Sequence, residues 1–122
     1  MKNKDLGTIL AEHHNYLNGF SDGKPASFRG MDLSGYTFKD MNLTEADFTG
    51  ANLRNARFEN VTMMDTIMRK ADLSFATFQD CTIDHSEITG TIQSVTFRRC
   101  DIANVHFRLK DRDELEFDRT MI

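Results

Sequence analysis

The chain has 122 residues, enough for one domain with a modest core. Its 15 basic and 19 acidic side chains leave a formal charge of −4, which argues against a general nucleic-acid binder. No run of 18 apolar residues is present, and Met1-Lys2-Asn3-Lys4-Asp5 leads into acids and histidines instead of an apolar signal segment. A cytoplasmic protein is expected.

Residues 4–18 read as a helix, with Leu6, Ile9, Leu10, His13 and Leu17 on one stripe. His13 and His14 are neighbours roughly 100° apart on that helix, so they are no chelating pair. His13 belongs to the apolar stripe and His14 to water. Asp22-Gly23 supplies a turn and Pro25 ends a linker. Residues 1–25 are thus expected to be a capping helix and its linker.

From Ala26 the chain divides into fives with an apolar residue at every centre. These are Phe28, Leu33, Phe38, Leu43, Phe48, Leu53, Phe58, Met63, Met68, Leu73, Phe78, Ile83 and Ile88. One residue is lost after Thr89, and the series resumes with Ile92, Phe97, Ile102 and Phe107. If half of all residues were apolar, this run of centres would arise by chance about once in 10⁵ chains. Two positions before most centres the residues are small, as at Ala46, Ala51, Ala71 and Ala76. A period of five fits neither a helix nor a long strand. It fits a chain that turns one corner per repeat.

Ala46-Asp47-Phe48, Ala51-Asn52-Leu53 and Ala71-Asp72-Leu73 resemble the consensus of the pentapeptide-repeat family, and the resemblance covers residues 26–109. It implies an all-β, right-handed quadrilateral β-helix of about four coils. Every fourth centre then shares a column. Phe28, Phe48, Met68, Ile88 and Phe107 form the first, and Leu33, Leu53, Leu73 and Ile92 the second. Phe38, Phe58, Phe78 and Phe97 form the third, and Leu43, Met63, Ile83 and Ile102 the fourth. Like packs on like at about 4.8 Å. Cys81 and Cys100 fall in one small-residue column and are expected to be buried free thiols in adjacent coils. Met31, Tyr36 and Met41 are too large for that position, and all three lie in the first coil, beneath the capping helix. Ile9-Leu10 to Leu17-Asn18-Gly19 also resembles, loosely, leaders that precede such repeats in phage and bacterial proteins.

Residues 110–122 begin with the charge run Lys110-Asp111-Arg112-Asp113-Glu114 and end apolar. Phe117, Met121 and Ile122 either fold back over the last coil as a cap or meet a second copy. The resemblance implies a homodimer through this end, and both readings stand.

No phosphate cradle, nucleophile elbow, zinc-protease motif or metal-ligand spacing is present, so no enzyme, metal or cofactor is expected. His85 and His106 lie at corner and outward positions on different columns. Sides three and four carry Asp40, Glu45, Glu59, Asp65, Asp80 and Asp84, diluted by Lys39 and Arg57. Family members that bind DNA gyrase imply a reading of this stripe as a DNA mimic presented to a protein partner. Its density is about one net charge per 3.6 Å, against about one per 1.7 Å in duplex DNA. The same acids also serve as a solubilising exterior. A phage-encoded inhibitor of a host defence complex, of anti-CRISPR type, and a purely structural solenoid spacer are the alternatives.

Overall fold

In the computed structural model, which describes residues 5–108 and 114–122, helix α1 spans Leu6–Leu17. Asp5 caps it by accepting the Thr8 N–H at 2.8 Å, which satisfies one orphan donor of the first turn. At the other end the Asn18 side-chain amide donates to the His14 carbonyl at 2.8 Å, and Gly19 turns the chain with φ of 76°. The returning linker passes close under the helix. A Cβ on Gly23 would lie 2.2 Å from the Tyr16 nitrogen. The stripe then faces the first coil, with Ile9 and His13 buried and Leu6, Leu10 and Leu17 half-buried.

From Ala26 the chain winds as a right-handed quadrilateral β-helix of about four turns. Its strands are β1 (Thr37–Asn42), β2 (Arg57–Met64), β3 (Thr77–Gln79), β4 (Thr82–Asp84) and β5 (Glu87–Ile88). They continue as β6 (Val95–Arg98), β7 (Asp101–Ala103), β8 (His106–Phe107) and β9 (Leu115–Asp118). Every pairing is parallel and joins successive coils, as Phe38 with Phe58 and Phe58 with Phe78. Apart from the short β5–β8 ladder on side one, the first two sides are held by single bridges, such as Asp47 to Ile67 and Asn52 to Asp72.

Two local devices bend the chain. The Asp or Asn before a centre accepts the N–H of the residue after it, forming an Asx-turn: Ser34 to Asp32 at 3.1 Å, Thr49 to Asp47 at 2.9 Å and Ser74 to Asp72 at 3.0 Å. The second residue after a centre then takes positive φ. Gly30, Gly35 and Gly50 do so, and so do thirteen other residues from Asp40 to Arg119 with φ of 49–67°. On sides one and two the next N–H closes the turn onto the centre's carbonyl, as Ala51 to Phe48 at 3.0 Å and Ala56 to Leu53 at 3.0 Å. The consensus Asp/Asn and the Gly/Asn/Asp corners are therefore the turn chemistry of the coil.

The centres fill the interior in columns. Phe38, Phe58, Phe78 and Phe97 stack with ring centroids 4.9, 4.6 and 4.8 Å apart and planes within 16°. All four are fully buried. Phe28 and Phe48 stack likewise at 4.7 Å and meet the Phe38 ring edge-on, which suits the aromatic quadrupole. Met31, Tyr36 and Met41 pack against this core from the capped end, with Met31 beside Ile9 and Met41 beside Leu10.

Gly90 accounts for the break in period. The corner residue after Ile88 is missing, so the chain cuts straight across and Gly90 lies on the coil below. A Cβ there would stand 1.9 Å from the Ala71 oxygen. For pairs that span it the offset is 19 residues, with Phe78 on Phe97 and Ile83 on Ile102, and it returns to 20 between Phe97 and Phe117.

The solenoid continues past residue 109. Strand β9 pairs with β6, Phe117 stacks on Phe97 at 5.3 Å, and Met121 bridges to Asp101. Phe117 and Ile122 stand ten and fifteen residues after Phe107, in phase with the repeat. Only the intervening centre, Arg112, is not apolar. Lys110 to Asp113 of the charge run lie outside the described residues.

Gly90→Ala is expected to lower stability by about 3 kcal/mol, because the new methyl meets fixed backbone. Gly50→Ala, whose Cβ would make only an ordinary contact of 3.9 Å with the Gly30 nitrogen and take an unfavourable φ, should cost about 1 kcal/mol. Urea unfolding of both variants checks the order.

Candidate protein-interaction surface

The centre side chain points inward, so the two residues after it face outward and turn the corner. This places Asp40 and Asp80 on the corner between sides three and four, Glu45 and Asp65 on the corner that follows side four, and Glu59 and Asp84 on the sides themselves. Asp40, Glu45, Asp65 and Asp80 occupy positive-φ corners, with φ of 55°, 67°, 55° and 55°. Glu59 lies within β2 and Asp84 within β4. Asp40 and Asp80 share a corner column with Asn60 between them, and Glu45 and Asp65 share the next with His85. Aspartate tolerates this backbone better than most side chains.

Their partners differ. Asp80 is clamped by Arg99 through two bonds of 2.9 and 3.2 Å, and the guanidinium holds its carboxyl below the usual range. Glu59 lies 3.6 Å from Arg57. Asp40 accepts from the Asn60 amide at 2.9 Å and Asp84 from the Asn104 amide at 3.0 Å, with His85 Nδ1 also 2.8 Å from Asp84. Glu45 accepts from the Tyr16 hydroxyl of α1 at 3.2 Å and raises the phenol's pKa. The Asp65 backbone N–H donates to the Asp84 carbonyl at 3.0 Å, and its carboxylate has neither hydrogen bond nor ion pair among the described residues. Along the column Asp40, Asn60, Asp80, Arg99, acid alternates with donor, so like charges are not stacked on adjacent coils.

Sides one and two behave differently. An arginine after a centre reaches up to the acid 18 residues later: Arg29 to Asp47 at 3.0 Å, Arg54 to Asp72 at 3.2 Å and Arg69 to Glu87 at 2.7 Å. Partial burial pushes the Asp47 and Asp72 carboxyls up. Hydrogen bonds from Thr49 and Ser74, with the paired arginines, outweigh it and hold both low. These three acids are neutralised, while Asp32 on side two is held by Ser34 and the Asn52 amide. Sides three and four keep Asp40, Glu45 and Asp65 without a cation.

Three outward residues went unread in the sequence. Met64 is 40% exposed in the middle of the acidic face, beside Asp65 and paired in register with Asp84. Phe75 is 46% exposed at a corner with φ of 63°, and the Arg54 guanidinium sits 5.6 Å from its ring centroid. Gly35, Asn55 and Ser94 fill the same corner in neighbouring coils. The terminal Phe of Ala71-Asp72-Leu73-Ser74-Phe75 was the available signal, since that position otherwise favours Gly, Asn or Asp. Tyr16 is the third; its role depends on how α1 docks.

Phe117, Met121 and Ile122 sit on the last rung and are 38%, 72% and 75% exposed. Cys81 and Cys100 are buried and free, one coil apart. Each thiol donates to a carbonyl of the coil below, Cys81 to Phe58 and Cys100 to Phe78, both at 3.3 Å. Contact with Cys100, together with burial, pushes the Cys81 thiol up. Among the described residues no three His, Cys, Asp or Glu side chains could hold a metal ion. No helix there is long and apolar enough to cross a membrane.

The family model described as "Pentapeptide repeat region" matches residues 24–88. Among solved structures, a pentapeptide repeat protein of the Arabidopsis thaliana thylakoid lumen is 22% identical, with 76% of this chain and 62% of that one covered and a TM-score of 0.43. The present chain therefore spans under two thirds of that protein's length. Rfr23 of the cyanobacterium Cyanothece 51142 is 12% identical over 96% of this chain and 99% of its own, with a TM-score of 0.41. QnrB1, a plasmid-mediated fluoroquinolone resistance protein, is 14% identical over 77% and 78%, with a TM-score of 0.36. No curated protein matches.

A bulky side chain at positive φ costs about 1–2 kcal/mol, more than the roughly 0.5 kcal/mol of an exposed cation–π contact. Phe75→Asn should therefore raise stability by about 1 kcal/mol. Thermal and urea unfolding will show this; a loss of stability would mean the ring is a structural element.

Proposed function

The chain belongs to the pentapeptide-repeat family, and from that premise we propose that it is a non-enzymatic, cytoplasmic protein-binding module. It offers sides three and four to a nucleic-acid-binding protein such as DNA gyrase, in the place of a phosphate backbone. The supporting observation is the asymmetry of charge pairing. Sides one and two bind their own acids with Arg29, Arg54 and Arg69, whereas Asp40, Glu45 and Asp65 keep their charge on the other faces. Asp84, whose neighbour is a histidine, joins them whenever His85 is neutral.

Four carboxylates over three coils of about 4.8 Å give roughly half the charge density of duplex DNA. Such a surface contributes steering and salt dependence more than raw affinity. Met64 adds apolar contact among the acids. A phage-encoded inhibitor of a nucleic-acid-binding defence complex would use the same surface on another target. A structural spacer would not need it.

The triple variant Asp40→Asn, Asp65→Asn, Asp84→Asn keeps the amide acceptors and leaves Glu45 to hold Tyr16. Surface plasmon resonance against purified gyrase, from 50 to 300 mM salt, should show parental binding that weakens at least tenfold over the range. The variant should bind weakly and with a shallower salt slope. Parental failure to bind rules out gyrase; equal binding by the variant rules out the acidic face.

We further propose a homodimer through the last rung, supported by the exposure of Met121 and Ile122. Sedimentation equilibrium of Met121→Ser, Ile122→Ser should report a monomer where the parent is a dimer. A monomeric parent overturns this.

A further inference from the structure

The contact between α1 and the first coil is built around a histidine that can serve only when neutral. His13 is 2% exposed. Its Nδ1 accepts the backbone N–H of Ala26 at 2.8 Å, at the point where the coil begins. That bond requires a lone pair on Nδ1, so the ring's single proton resides on Nε2. Nε2 is itself buried and closes no hydrogen bond. An imidazolium carries N–H on both nitrogens. Protonation would set the Nδ1–H against the Ala26 N–H, two donors facing each other in a buried site. The cost is a lost hydrogen bond and a buried charge together.

We propose that His13 is an acid-sensitive latch: protonation at Nδ1 abolishes the acceptor for the Ala26 N–H and releases helix Leu6–Leu17 from the first coil.

The groups around the ring set the balance. From the coil, the Asn42 backbone and the Glu45 charge favour the protonated form, but burial outweighs them and pushes the imidazole below its usual range. Glu45 is partly occupied by the Tyr16 hydroxyl. Asp40 and His14 line the adjoining groove of 240 Å³ with Leu10, Leu17, Met41 and Asn42. On the opposite side Glu12 faces Lys24 of the linker at 3.8 Å. The sign follows from linkage. A base whose folded pKa is depressed adds stability that is complete above its free value, about 6.5, and is lost as pH falls below it. Release would bare Ala26 and Phe28, which are now buried, and the open strand edge of the first coil. Ile9 would go into water with them.

Hydrogen–deuterium exchange of the full chain, corrected for intrinsic rates, tests the latch at pH 7.5 and 5.0. Protection of residues 6–17 and of the Ala26 amide should fall by up to about thirtyfold between the two, with the third and fourth coils unchanged. His13→Gln offers a carbonyl acceptor that does not titrate, and its protection at residues 6–17 should not change with pH. An NMR titration of the His13 ring provides the second measurement, with a midpoint below the free value of about 6.5. Equal loss of protection in the parent and His13→Gln overturns the proposal, as does a His13 midpoint at or above 6.5. Should His13→Gln not fold, the ring titration and the parental exchange decide alone.

Discussion

A polypeptide that turns a square corner every fifth residue must place one residue per repeat in the left-handed region of backbone space. That requirement governs the rest of the molecule. It selects glycine, asparagine and aspartate for the corners, where they turn most cheaply, and it leaves the corner side chain pointing at solvent. The acidic exterior is thus partly a by-product of turning. Asp40, Asp65 and Asp80 are corner residues first, with φ of 55° each. What turning does not explain is Glu45, a long side chain at the same backbone angle, whose carboxylate reaches back to Tyr16. Lys70, His85, Arg99 and Arg119 depart in the same way, and Phe75 is large and apolar where small and polar would suffice.

Given the corners, successive coils lie in register and side chains meet their own kind above and below. This makes the interior a set of columns and the exterior a set of ladders. On the outside the ladder geometry penalises stacked like charges, and the molecule answers in two ways. Sides one and two tie Asp47, Asp72 and Glu87 each to an arginine on the coil beneath. Sides three and four interleave acids with amides, which satisfies hydrogen bonding and leaves the charge in place. The faces are therefore equally well made as walls and quite unlike as electrostatic surfaces.

The period of five was legible because its inward residues are large and nearly unbroken, and the four columns followed from the quadrilateral coil that the family resemblance implies, with like-on-like stacking in support. The lost residue near Thr89 was legible for the same reason, since only a single deletion keeps phenylalanine over phenylalanine. The last rung was hidden by Arg112, one polar centre that interrupts a series which Phe117 and Ile122 resume in phase. Pairing of surface charges was harder to read. Arg29 reaches Asp47 and Arg99 reaches Asp80, offsets of 18 and 19 that depend on side-chain reach, not on backbone register. The docking of α1 joins residues 13 positions apart through one histidine nitrogen, a contact that no periodicity announces.

The two ends of the rod are unlike. Helix α1 covers one, while the last described rung leaves Met121 and Ile122 exposed. A body with a single open terminus has valence one for end-on growth. Two such bodies can seal each other by a two-fold contact, and nothing is then left for a third to add to. A β-solenoid end is otherwise a template for further strands, and the twelve-residue helix Leu6–Leu17 covers one of the two edges.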